Sequence, residues 1–133
     1  MSKKSIFSFA IGGDGQIYEG RGFNVVGAHA PKYNDKSVGI CLIGDWSSRS
    51  LKNNNSYNVH RNKNHFILDD LPSPKMFEAV QELISQGLSI NAIRSNYTLL
   101  GHRQTRYTEC PGDRLFAEIS TWPHFSAEPR NRV

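Results

Sequence analysis

The run Val38-Gly39-Ile40-Cys41-Leu42-Ile43 constrains the fold more than any other stretch of the chain, because it carries no charged or strongly polar side chain to place on a solvated face. A run of that length reads as a buried strand, and it is expected at the centre of a sheet. The segments before it are also extended in character. Ile6 to Ile11 reads as a strand, Gly12-Gly13-Asp14-Gly15 as a tight turn, and Gln16 to Glu19 as the returning arm of a hairpin. After residue 70 the period changes from strand to helix. Ser73 is placed to cap a helix beginning at Pro74, with Phe77, Val80, Leu83, Ile84 and Leu88 on one face and Gly87 near the end. Tyr97 to Leu100 is expected as a short strand that delivers His102, and Asp113 as the cap of a last helix through Ile119, stopped before Pro123.

At 133 residues the chain suits one domain, residues 1–133, with enough apolar content for a single core. Ser47 to Asn64 interrupts the pattern with Asn, Ser, Lys and Arg, including Asn53-Asn54-Asn55, and has neither period. We expect 47–70 to be a disordered insert loop. Connections longer than about fifteen residues are uncommon inside compact domains. His60 and His65 lie in or beside it, where nothing fixes an imidazole against the entropy of ordering the loop. The formal charge of +4 suits an acidic partner, whether nucleic acid, an anionic surface or a carboxylate-rich polymer. No nucleic-acid motif or aromatic and basic stacking face accompanies it, which sets the nucleic-acid class aside. Two cysteines, Cys41 in the apolar run and Cys110, make no disulfide framework. The polar start followed by a short, glycine-broken apolar run resembles neither a signal peptide nor a membrane span, so the chain as written is expected to stay where it is made.

Chemistry concentrates in Gly101-His102-Arg103-Gln104-Thr105-Arg106-Tyr107-Thr108-Glu109-Cys110-Pro111-Gly112. Here a histidine and a cysteine stand eight residues apart on a Gly/Pro-bounded loop. Both side chains are good zinc ligands, and a catalytic site needs a third protein ligand with a position left open for water. On spacing alone, such a pair is more often a packed polar residue beside a buried thiol than a metal site.

Motif order carries a family resemblance. Gly12 through Phe23 (GGDGQIYEGRGF), then Val26-Gly27-Ala28-His29-Ala30 and Ser37-Val38-Gly39-Ile40, resemble the animal peptidoglycan recognition proteins. Leu71-Pro72, the helix with Ala79 and Leu83, Ser95-Asn96-Tyr97, Gly101-His102-Arg103, Cys110-Pro111-Gly112 and Trp122-Pro123-His124-Phe125 follow in that family's order. The resemblance spans Phe7 to Trp46 and Leu71 to Phe125, and looks closest to amidase-active members.

The resemblance implies an α/β fold, a mixed central β-sheet flanked by helices, related to zinc-dependent N-acetylmuramoyl-L-alanine amidases. It lacks the family's first strand and helix, being truncated at its N-terminus relative to the family. The implied partner is bacterial peptidoglycan or its muropeptides, of the diaminopimelate type, and the implied cofactor is zinc with an incomplete site. His102 and Cys110 match two metal ligands; the third, an upstream histidine in similar proteins, has no counterpart before His29. Thr108 matches a catalytic position that polarises substrate or stabilises an oxyanion, with a loop-stabilising hydroxyl as the alternative. Arg21 matches an arginine that pairs with the extra carboxylate of diaminopimelate, against a solvated surface role. His29 resembles a groove-lining histidine, against a structural one, and Tyr33 and Asn34 are further groove candidates. The strand position that holds the catalytic tyrosine in active relatives is Phe7 here, while Tyr18, on the second hairpin strand, is expected to pack. Two functions follow: a zinc amidase with impaired hydrolysis, or a non-catalytic receptor or decoy for peptidoglycan in innate immunity.

Overall fold

The computed structural model describes residues 5–47 and 71–128. His60, His65 and the expected disordered insert fall outside the described residues. Three short strands form one sheet in the order β2-β1-β3: β1 is Phe9–Ile11, β2 Ile17–Glu19 and β3 Ile40–Leu42. β1 and β2 are antiparallel arms of the expected hairpin, with Ala10 opposite Tyr18. β1 and β3 are parallel, with Ala10 opposite Cys41. The sheet is therefore mixed, and helices accompany it.

Two strand expectations are corrected. Among the described residues β1 is the central strand, and β3 pairs along one edge only. An all-apolar run reports that the faces of a strand are covered; it carries no information about how many neighbours it has in the hydrogen-bonding direction. β3 is also only half-buried. The expected strand Ile6–Ile11 shortens to Phe9–Ile11 because its first residues bond to the loop after β2: Arg21 N–H donates to the Phe7 carbonyl, and the N–H groups of Gly20 and Gly22 both donate to Ser8. Ser8 and Phe9 in turn donate to one carbonyl, that of Gly39, while Ser8 Oγ accepts from Gly39 N–H at 3.1 Å. Tyr18 sits on β2 as expected but is 55% exposed, so its ring faces solvent and not the core.

Helix α1, Pro74–Ser89, begins as its cap residue dictates. Ser73 Oγ accepts from Met76 N–H, proline occupies the first turn, and the same hydroxyl lies 3.2 Å from the Gly13 carbonyl, tying the helix start to the hairpin turn. Its buried face is Met76, Ala79, Val80, Leu83, Ile84 and Gly87. Ile11 of β1 meets Met76, Ala79, Val80 and Ile84 in the core, with Ile40, Leu42 and Trp46 packed around them. Gly87 lets the chain fold back beneath the helix, since a β-carbon there would lie 2.5 Å from Ile93. Ala92 and Ile93 N–H groups both bond to its carbonyl.

Tyr97 to Leu100 is not a strand. A single parallel bridge joins Leu99 to Phe125, and Tyr97 is engaged instead by His124, whose ring stacks on it at 3.9 Å and whose Nδ1 lies 2.8 Å from the Tyr97 carbonyl. Helix α2 is Asp113–Ile119 as expected, but its N-cap is Gly112, at φ 94°. Asp113 is displaced from the capping role because its carboxylate accepts from Arg103, and it still places negative charge in the first turn, where the helix dipole favours it. No described helix is long and apolar enough to cross a membrane.

Candidate functional site

The loop between Gly101 and Gly112 is folded by its own side chains. His102–Gln104 forms one 3-10 turn. The buried Gln104 closes it, its Oε1 accepting from Gly101 N–H at 2.8 Å while its Nε2 donates to the Ser126 carbonyl at 2.6 Å. Arg103 spans the loop: one guanidinium nitrogen bonds Asp113 at 3.0 Å, another donates to the Glu109 carbonyl at 2.6 Å, and the group lies 4.7 Å over the Phe116 ring. Its N–H donates to the Cys110 carbonyl, which brings the two ends of the His-to-Cys segment side by side. Neither the role of Gln104 nor that of Arg103 is legible from sequence. Their only signal was an amide and a guanidinium between two glycines in a loop that must satisfy its own backbone.

His102 Nε2 lies 2.6 Å from the His29 carbonyl oxygen. A carbonyl can only accept, so Nε2 carries the proton, and in the neutral ring Nδ1 is left with a lone pair. That division of labour, one nitrogen held by a backbone carbonyl and the other bare, is what metal-ligating histidines use. His29 is itself 8% exposed. Its ring is clasped by two glycines, for a β-carbon at Gly27 or Gly39 would come within 2.4 Å of it. Nε2 of His29 is buried with no partner among the described residues. Burial first, then the neighbouring His102 and Arg21, hold His29 below the usual histidine value. So the expected groove histidine is a buried, neutral one here.

Arg21, also expected at the groove, donates through Nε to the Ser5 carbonyl and through Nη1 to that of Val26 at 2.9 Å. These two bonds engage Nε and Nη1 from different edges of the guanidinium and do not use Nη2. Asn34 Oδ1 accepts from both His29 N–H and Ala30 N–H at 2.8 Å. Tyr33 is half-buried, with Lys36 Nζ 5.3 Å over its ring and its carbonyl accepting from Ser37 Oγ. The backbone of Phe7 adjoins Arg21, whose N–H donates to the Phe7 carbonyl, and the Ile6 carbonyl accepts the N–H of Ala28.

Thr108 Oγ1 accepts from Cys110 N–H at 3.2 Å, the loop-stabilising arrangement, and its own proton remains for another acceptor. Thr108 borders an open depression of about 270 Å³ with Arg103, Tyr107 and Asp113, and Cys110 borders a second of about 410 Å³ with Trp46 and Glu109. Cys110 is a free thiol, exposed at the surface as a residue, whose pKa is raised by partial desolvation against the lowering effect of Arg103. Cys41, on β3, is raised by burial and by Cys110. The structure thus joins His102 to His29 and Asn34, and Thr108 to Cys110. As zinc donors, His102 Nδ1 and Cys110 Sγ fit in kind. No group of three or more His, Cys, Asp or Glu that could hold a metal occurs among the described residues.

The chain as a whole is similar to known proteins. Residues 2–113 match the family model described as N-acetylmuramoyl-L-alanine amidase, and the chain belongs to that family. It is 55% identical over 120 residues to peptidoglycan-recognition protein LB of Drosophila melanogaster, covering 90% of this chain and 43% of that protein. Peptidoglycan-recognition protein SC2 of the same fly is 38% identical, over 91% of this chain and 54% of its own length. The chain therefore spans about half the length of the curated relatives it matches. Among solved structures, a tyrosine-to-phenylalanine mutant of Drosophila peptidoglycan-recognition protein LB in complex with tracheal cytotoxin aligns with a TM-score of 0.74 at 55% identity, over 91% of this chain and 59% of that one. A human recognition protein in complex with a muramyl pentapeptide aligns at 0.72 and 33% identity, over 91% and 61%.

Proposed function

We propose that this chain recognises diaminopimelate-type muropeptides and that its hydrolysis of the N-acetylmuramoyl-L-alanine amide bond is strongly slowed. The observation that carries the reading is the His102–His29 contact beside the Thr108–Cys110 loop, in a chain 55% identical to a protein solved with tracheal cytotoxin. Peptidoglycan-recognition protein LE, at 36% identity, was also solved with tracheal cytotoxin, a monomeric diaminopimelic acid-type peptidoglycan. In this reading Nη2 of Arg21 meets the additional carboxylate of the stem peptide, which the planar guanidinium matches in geometry. His29, Tyr33 and Asn34 form the wall behind it.

Zinc belongs to the same reading. His102 through Nδ1 and Cys110 through Sγ would be two of its ligands, and when bound it would supply an activated water and a Lewis acid for the amide carbonyl. Thr108 would offer its hydroxyl proton to the carbonyl oxygen of the scissile bond. Phe7 is the reason for slow hydrolysis. It stands where the resemblance places a tyrosine, and losing one hydrogen-bond donor to developing charge costs about 10²- to 10³-fold in rate. Binding has no need of that hydroxyl, and the relative solved with tracheal cytotoxin is itself a tyrosine-to-phenylalanine form. The second reading, a receptor or decoy with no turnover, differs only in the rate.

Proton NMR of a diaminopimelate-containing muramyl tripeptide, mixed with the purified chain and zinc, tests both at once. Broadened ligand lines with free peptide accumulating slowly are expected, and Phe7→Tyr should accelerate release. Broadening with no release even in Phe7→Tyr would select the receptor, and unbroadened lines would remove the proposal.

A further inference from the structure

We infer that Asn34 is a positioning residue for His102, acting through the backbone of His29. The inference rests on the proposed role of His102 as a ligand, but its test does not. Two N–H groups, those of His29 and Ala30, converge on the Asn34 side chain at 2.8 Å each. Both partners are donors, so the oxygen of the amide must face them and the NH₂ must point elsewhere. His29 and Ala30 are both buried, and no other acceptor among the described residues meets these two N–H groups. The segment folds back to make this possible through turns in which Tyr33 N–H bonds Ala30 and Lys36 N–H bonds Tyr33, with Lys32 at φ 70°.

The peptide unit so fixed is the one whose other end acts on His102. The His29 carbonyl shares its planar peptide unit with Ala30 N–H, which Asn34 holds at 2.8 Å, and with the His29 ring clasped between Gly27 and Gly39 that carbonyl has little freedom to swing. That carbonyl meets His102 Nε2 at 2.6 Å and sets which ring nitrogen is protonated. Asn34 thus determines, two hydrogen bonds away, that Nδ1 of His102 is the bare nitrogen. Outer partners of this kind typically alter metal affinity or activity by about 10- to 100-fold when removed. An amide oxygen is suited to the task because a single atom can satisfy two converging donors.

The test is the tautomer of His102, read by long-range proton–nitrogen NMR of the metal-free chain at pH 8. The wild-type chain should show a pyrrole-like Nε2 and a pyridine-like Nδ1. Asn34→Ala should shift both nitrogen signals toward a tautomer average while His124, held by Tyr97, keeps its pattern. Asn34→Asp, which keeps the accepting oxygen and removes the NH₂, should restore the wild-type pattern. If Asn34→Ala does not fold, Asn34→Gln moves the oxygen by one methylene and carries the same expectation. An unchanged His102 tautomer in a folded Asn34→Ala or Asn34→Gln chain would overturn the inference, as would failure of Asn34→Asp to restore it. Because no metal or muropeptide is present, failure of the proposed function leaves these outcomes untouched.

Discussion

His29 concentrates the physical chemistry of this chain at the scale of one residue. It is buried, its amide and carbonyl are both committed, and its ring nitrogen Nε2 has no partner among the described residues. A neutral imidazole tolerates that position far better than a charged one, in keeping with its lowered pKa. The consequence for stability has a definite sign. A histidine whose native pKa lies below its unfolded value leaves the unfolded state binding more protons, so its contribution is present above about pH 6.5 and is lost as the pH falls through the native value. Urea unfolding between pH 8 and pH 5 should show a declining midpoint in the wild-type chain and a shallower decline in His29→Gln; equal slopes would mean that His29 does not resist protonation. The residue type at this position was visible in the sequence, and so were the flanking glycines. Its burial was not, because nothing in a linear string says that residue 39 comes to lie against the ring.

The elements were legible where a local signal sets them. Ser73-Pro74 contains both a cap and a first-turn residue, so the start of α1 follows from short-range chemistry alone. Replacing Ser73 with Ala should lower stability by about 1 kcal/mol, the usual worth of such a cap, measured as a shift in the denaturant midpoint at constant slope. No shift would mean that proline and the helix face alone hold the first turn. Elements set by distant partners were less legible. β1 proved shorter than its apolar run because glycines 20 and 22 and Arg21 take the bonds that would have continued the ladder. Tyr97 to Leu100 has strand-forming residues but finds only the Leu99–Phe125 bridge. Asp113 reads as a cap until Arg103, ten residues earlier, claims its carboxylate. Each departure comes from a polar group that found a better partner across the chain.

At the scale of the molecule, the hairpin, β3 and the loop after residue 100 converge on one region: β1 is flanked by both other strands, and the His29 segment that joins β2 to β3 receives His102. Motif order carried the family resemblance, but the contact of His102 with the His29 carbonyl was not legible in it. Motifs could not reveal the supporting polar network of Asn34, Gln104 and Arg103, whose partners are mostly backbone groups and leave no spacing rule. The central claim is that this region binds a diaminopimelate-type muropeptide through Arg21. Its most direct test is a titration of the ¹⁵N-labelled chain with muramyl tripeptides ending in diaminopimelate or in lysine. Shifts should cluster at Arg21, His29, Thr108 and Cys110 with the diaminopimelate peptide, the lysine peptide should bind at least about tenfold more weakly, and Arg21→Ala should lose that preference. The tenfold figure corresponds to about 1.4 kcal/mol, within the range for hydrogen bonds to a charged group. Equal binding of the two peptides, or shifts confined to surfaces away from these residues, would contradict it.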